Sequence, residues 1–545
     1  MLSLTALGRI LAAMLVMHAG LAAAQTTPPE IRELAGLIDR FVERALPDDL
    51  PPADLLTESG FIRRVTLDLA GRIPTAAELE RFRRSESLDK RAELVRQLID
   101  APDFAFHQRN ELDTLLLRRL EHNQAWREYL LEATRENRSW DQMFREILSP
   151  DEICPDDTRP VAYLAKRVQD LDAMANDSSI VWFGVNVACA KCHDHPLVFD
   201  WTQSHYYGLA SFFKRTFRSR SGFLGERFEG RLKYQTQSGE DRAAEFMFLT
   251  GTKVDEPEPK WDEETLKGYR EAIQKAERDD QAELPPRPDF SPRSELAELA
   301  LADTEQRFFA KNIVNRIWAR MFGRGLVHPL DQLHSENPPS HPELLGRLSS
   351  DLIENGYDLK RLIHAIALSD SYARRMPAAE TAEAYEPDRF AAAIPRPLSP
   401  HQLSLSLRIA TSHPDTIRGL GFDPDWAERR ESFENASEGV ARQLEIPDDG
   451  FQLPVTEALW FSNNPGVASD YLGDGRDGLV GYLRQLGSDE DRVRAATRSI
   501  LSRDPDPEEW ATMTEYLADR GDRQTEAIRH VVWALLGTPE FRFNH

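Results

Sequence analysis

Cys189-Ala190-Lys191-Cys192-His193 is the stretch of this chain whose residue types and spacing point most directly to chemistry. In a C-x-x-C-H pattern, two thiols can add to the vinyl groups of a haem and the next residue supplies an imidazole to the iron. The chain holds only 3 cysteines and 14 histidines in 545 residues, so composition alone does not account for the pattern. Asp194, His195 and Pro196 follow at once, and Asp200 and His205 lie just beyond. A second chemistry is therefore open. Cys189, Cys192, His193 and His195 are ligand types that zinc prefers, with Asp194 or Asp200 as further donors. Consecutive residues such as Cys192 and His193 seldom bind one ion together. A structural zinc site also needs a second ligand pair, for which His205 and Cys154 are the candidates. A redox disulfide between Cys189 and Cys192 is the third option, but the expected βαβ surroundings are absent.

A haem held by His193 needs an opposite axial group or an open face. His195 sits only two residues away and cannot easily reach the far side. Met174, Met247 and His205 are the candidates; a Met would raise the potential, and an open face would admit small ligands. Trp182, Phe183, Trp201, Tyr206, Tyr207, Phe212 and Phe213 flank the motif in sequence. They could wall a haem, although such aromatics are more often ordinary core. Cys154 is either buried and inert or a third ligand. His341 and His364 read as helix-start and packing residues. No G-x-S-x-G, G-x-x-x-x-G-K-[ST], H-E-x-x-H or G-x-G-x-x-G occurs, which removes the easily recognised enzyme classes. Acidic pairs are too common here to single one out as an acid–base couple.

The elements that must position this motif are mostly helical. Arg9, the apolar run Ile10 to Leu21 and Ala22-Ala23-Ala24 read as an export signal cleaved after Ala24. Export to the periplasm or cell envelope puts the cysteines in an oxidising compartment, where 3 are too few for a disulfide framework. No later run is long and apolar enough for a membrane span. The formal charge is −24, spread along the chain, which disfavours nucleic acid as a partner. Helices are expected around Ile31 to Ala45, from the Thr75–Glu78 capping box, over Lys90 to Ile99, Leu112 to Tyr129 and Ser139 to Leu148. A segment of mixed helical periodicity, Val161 to Val187, leads into the motif, and Trp201 to Phe213 leads out of it. Arg231 to Gln237, a turn at Ser238 to Asp241 and Glu245 to Thr250 read as a β-hairpin. Residues 253–293 read as a charged, Pro-rich linker. Beyond it, Ser340–Glu343 reads as a capping box, Asp358 as a cap, Asp506-Pro507 as a helix start and Gln524 to Leu536 as the last helix. The expected fold is mainly α: two helical domains with a small β-hairpin insertion between them. The boundaries are 1–24 for the signal, 30–215 for the motif domain, 216–293 for the hairpin and linker, and 294–545 for the second helical domain.

Two ordered sets of blocks resemble known families. Phe61-Ile-Arg-Arg-Val-Thr-Leu-Asp-Leu-Ala-Gly-Arg-Ile-Pro-Thr75, Asp89-Lys-Arg, Cys189 to Pro196, Trp201-Thr-Gln and Tyr206-Tyr207 resemble the planctomycete cytochrome-C-like domain of unknown function. Phe308 to Trp318, Phe322-Gly-Arg-Gly-Leu326, Asn337 to Leu345, Gly356 to Leu359 and Trp533 to Leu536 with Glu540-Phe541 resemble the planctomycete C-terminal domain that usually follows it. The resemblance implies an exported protein with haem c on Cys189, Cys192 and His193, and brings no substrate. The expected function is that of a c-type haem protein that transfers electrons to a redox partner protein. An exported structural or binding protein, with zinc or a purely structural Cys/His cluster, is the alternative. An envelope or extracellular polymer-processing enzyme is the third. Oligomeric state is not legible.

Overall fold

The computed structural model describes residues 27–118, 123–195, 198–258, 261–378, 380–418, 426–444, 461 and 463–545. The export segment expected over residues 1–24 lies outside them. The described chain is mainly α, with strands only in two-stranded pairings. The longer helices are α1 (Pro29–Arg44), α2 (Glu58–Ala70), α3 (Ala76–Arg84), α4 (Lys90–Asp100), α5 (Pro102–Leu117), α6 (Gln124–Arg135), α7 (Trp140–Leu148), α8 (Leu171–Ser178) and α9 (Gln203–Phe213). After them come α10 (Glu263–Arg278), α11 (Pro292–Ala302), α12 (Phe308–Phe322), α13 (Pro342–Glu354), α14 (Leu359–Leu368), α15 (Pro400–Thr411) and α16 (Trp426–Ala441). The last three are α17 (Asp489–Leu501), α18 (Pro507–Ala518) and α19 (Gln524–Leu536). No helix of the described residues is long and apolar enough to cross a membrane.

Local signals set many of these ends. The Thr75 hydroxyl accepts from the Glu78 amide while the Glu78 carboxylate accepts from the Thr75 amide, a complete capping box. Asp358 caps α14, and Asp506 with Glu509 boxes the start of α18. Three expectations are corrected. Leu112 to Tyr129 is not one helix, because Arg118 turns into the left-handed region at φ 55° and ends α5. Ser340 does not cap α13. His341 occupies the cap position without a side-chain cap, Pro342 opens the helix, and the Ser340 hydroxyl donates to the Leu326 carbonyl. The hairpin returns earlier than expected. Gly239, at φ 82°, makes the turn tight, so Lys233–Gln235 pairs with Asp241–Ala243. The apolar Phe246-Met247 instead pairs with Lys253–Val254 and packs on α9, where Met247 lies against Gly208. A further pairing, Thr216–Arg218 with Leu224–Glu226, had no clear sequence signal.

Two hydrophobic cores result. The first gathers residues from Ile31 to Phe390, so helices from both sides of the 253–293 segment share it. The second gathers Leu398 to Phe541, with Leu67 and Ile73 added from the end of α2. The block Phe61 to Thr75 is the joint between them. Arg63 donates to the carbonyls of Ile500, Glu540 and Phe541. Arg64 donates to those of Tyr372, Arg374 and His545. Asp68 accepts from Tyr372, Arg396 and Asn544. A buried charge is tolerable only with such partners, so this block acts through burial rather than through exposed chemistry.

Candidate functional site

The 3-10 turn Ala188–Lys191 carries Cys189, with Cys192 and His193 directly after it, beside α9. Ala190 is buried and anchors the turn, whereas Cys189 and Cys192 are both exposed free thiols. The turn is held from four sides. Before it, the Asn186 amide donates to the Asp331 carbonyl and its side chain to the Asp331 carboxylate, 3.0 Å away. After it, Asp194 accepts from the backbone N–H of Gln203 at the start of α9, 2.9 Å. Beneath it, the Gln203 amide side chain donates to the Cys192 carbonyl at 3.2 Å. At its side, Lys191 and Tyr206 both bond to the Asp172 carboxylate. Those two hydrogen bonds hold Asp172 below the usual carboxylate range. Residues 196 and 197 lie outside the described chain.

The two histidines of the motif present opposite faces. His193 Nδ1 lies 2.8 Å from the Asp194 carbonyl oxygen, an acceptor only. The proton must therefore sit on Nδ1, leaving the lone pair on Nε2 for a metal. His195 Nδ1 instead accepts from the Val198 amide, 3.0 Å, which uses that lone pair and puts the proton on Nε2. His205 is used as a cap: its Nδ1 accepts from the Thr202 amide at 3.2 Å and faces the Thr202 hydroxyl at 2.9 Å. Burial lowers the His205 pKa, against the pull of Asp200 and Asp194.

The other sequence candidates do not join the motif. Met174 is 1% exposed and Met247 is 6% exposed, both within packed surroundings. Trp182 belongs to an aromatic cluster with Trp140, Phe144, Tyr163 and Phe309. Phe212 and Phe213 are equally buried, so these rings are core rather than the wall of an open slot. The Cys154 thiol is pushed up to about 11, first by burial and then by Glu146 and Asp157, which makes it inert at neutral pH. Asp200 accepts from the backbone and hydroxyl of Ser335, both at 2.8 Å. Among the described residues, no three His, Cys, Asp or Glu side chains gather closely enough to hold a metal ion. His341 packs on Phe390, and buried His364 is lowered to about 4 by desolvation, as packing histidines behave. Gln203, Asp172 and Asp331 are the site residues that sequence reasoning did not find. Only the quoted Trp201-Thr-Gln block hinted at Gln203; the other two lie far from the motif in sequence.

The donor set fits haem attachment at the level of its atoms. Two accessible thiols precede an imidazole whose tautomer is already set for a metal bond, with Nδ1 held by a carbonyl. Residues 37–218 match the family described as PSCyt2, protein of unknown function (DUF1549), and residues 292–449 match PSD1, protein of unknown function (DUF1553). In this order the two matched domains make the planctomycete two-domain arrangement. No curated protein and no solved structure matches it.

Proposed function

We propose that this is an exported protein of the periplasm or cell envelope that carries haem c on Cys189 and Cys192, with His193 as iron ligand, and exchanges electrons with a partner protein. The observation that carries the reading is the His193 tautomer, with Nε2 left free beside two exposed thiols. Haem, when bound, supplies one-electron oxidation and reduction of its iron. The chain's own contribution is orientation: Asp194 bonds the imidazole through its carbonyl and ties the turn to α9 through its carboxylate. Phe199, 86% exposed in the same loop, offers apolar surface to a macrocycle. Met174 and His205 are engaged in packing and capping, so neither would help His193 hold the haem. The test is a pyridine haemochrome spectrum of the full chain, exported in a host with c-type haem maturation. The expected result is a c-type band that stays with the denatured chain and disappears in the Cys189→Ser/Cys192→Ser double variant. No band in the parent protein overturns the reading.

A second reading, an exported protein whose Cys/His turn is purely structural, is supported by Gln203 and Asp194, which stitch the turn to α9. It predicts a colourless protein with zinc or no metal, and loss of stability in Cys189→Ser.

A further inference from the structure

On α12, Arg316 and Arg320 stand one turn apart, and Arg324 follows just past the Gly323 cap. With Arg118 at the end of α5, they line a cavity of about 670 Å³. That volume lies within the range of small-molecule pockets. Leu112, Leu115, Ile317 and Leu330 give it an apolar wall. Its rim is rigid. Asn315 both donates to the Val327 carbonyl (2.8 Å) and accepts from its amide (2.9 Å). A Cβ at Gly325 would lie 2.4 Å from the Val327 carbonyl oxygen.

The charges of this cavity do not balance. Its carboxylates are Glu111 and Asp331, against four arginines. Asp331 already accepts from Asn186. Arg316 is committed to the Asn312 side-chain oxygen Oδ1 (2.9 Å) and the Ile180 backbone carbonyl (2.7 Å). The nearest carboxylate to Arg118 is Asp177, 3.9 Å away. Arg320 is the exception: its Nε and Nη2 are buried and have no hydrogen-bond partner among the described residues. Glu111 and Asp68 act on it electrostatically, yet neither pairs with it at contact distance. Burial raises the Glu111 carboxyl, against the pull of Arg320. A guanidinium cannot escape by losing its proton, and each buried donor left unsatisfied costs stability.

We propose that this cavity binds a small organic oxyanion, with its carboxylate, phosphate or sulfate group on the Arg320 fork and its body against the leucine wall. The site is independent of the haem reading. Isothermal titration of the full exported chain, at fixed ionic strength, tests it with inorganic phosphate, inorganic sulfate, glucose 6-phosphate, glucuronate and neutral glucose. The anions bind and glucose does not. Glucose 6-phosphate tighter than inorganic phosphate identifies an ester; glucuronate alone identifies a carboxylate. Arg320→Met weakens binding at least tenfold without lowering the melting temperature, because it removes a charge the fold leaves unmatched. Arg324→Met weakens it less, and Arg523→Met, on the exposed surface, leaves it unchanged. Arg324→Met carries the test if Arg320→Met fails to fold. No anion binding at millimolar concentration, equal binding of glucose, or wild-type affinity in both cavity variants overturns the proposal.

Discussion

Two regions of this protein gather several arginines, and they treat them in opposite ways. Between α5 and α16 the guanidinium groups of Arg72, Arg109, Arg127 and Arg430 face the carboxylates of Glu78, Asp103, Asp113 and Glu434. Asp103 accepts from Arg430 Nε and Trp426 Nε1, both at 2.7 Å, and from Arg72 at 3.2 Å. Glu434 accepts from Arg109 at 2.8 Å and Asn110 at 2.6 Å. Each charge in this seam has a partner, and the seam bonds the first matched family domain to the second. At the α12 cavity, Arg320 has none. A buried charge matched within the chain holds structure together. One left unmatched in a cavity marks a place for something from outside.

The largest effect should come from unbalancing the seam. Asp103→Ala takes one of two buried carboxylate partners from each of Arg72 and Arg430, leaving them Glu78 and Glu434, and should cost about 3–5 kcal/mol in urea unfolding. A loss no greater than that of a surface substitution would end the distinction between the two regions.

Acid should attack the seam next. Burial, opposed by Glu434 and reinforced by Arg127 and Arg109, lowers the pKa of His401 to about 4 from its ordinary 6.5. The folded state thus prefers the neutral ring. Its contribution is fully present above pH 6.5 and is lost as pH falls through about 4. The difference is on the order of 3 kcal/mol. Glu434 and Asp103 work in the same direction, because their arginine partners hold both carboxylates below the ordinary range despite burial. Their share is present above the usual carboxylate pKa and disappears only in stronger acid. His401→Gln should flatten stability between pH 6.5 and 4, and an unchanged pH profile would remove His401 from the account.

A smaller effect tests the backbone that separates cavity from motif. Gly184 sits at φ 70°, and a Cβ there would lie 2.8 Å from Asn312 Oδ1. Gly184→Ala should cost about 1–2 kcal/mol for the left-handed conformation alone, read as a lower urea midpoint at constant slope. The smallest effect belongs to the motif. Both thiols are exposed and free, so Cys189→Ser/Cys192→Ser should change stability by no more than about 0.5 kcal/mol. A larger loss in chemical denaturation would favour the structural reading of the turn over haem.

The local features of the molecule were legible because their causes lie within a few residues. The capping box at Thr75, the helix start at Asp506-Pro507, the Asp358 cap and the final helix Gln524–Leu536 needed only spacing and side-chain type. The Cys/His stretch was legible as a pattern of residue types and spacing. Where a helix-forming run stops by backbone conformation, as at Arg118, or a turn sets strand register, as at Gly239, composition misled.

The helical class, the two family domains and the Cys/His pattern could be read from the chain alone, since periodicity and spacing are local properties. Only the tertiary structure decided what the arginines do. Arg63 finds its carbonyls more than four hundred residues away, and Arg430 meets Asp103 across 327 positions. It also decided that His193 keeps a free lone pair while His195 uses its own, because each ring's tautomer depends on the backbone group folded against it. Whether a charge is matched, and which nitrogen carries a proton, are settled by neighbours in space, and spacing along the chain does not encode them.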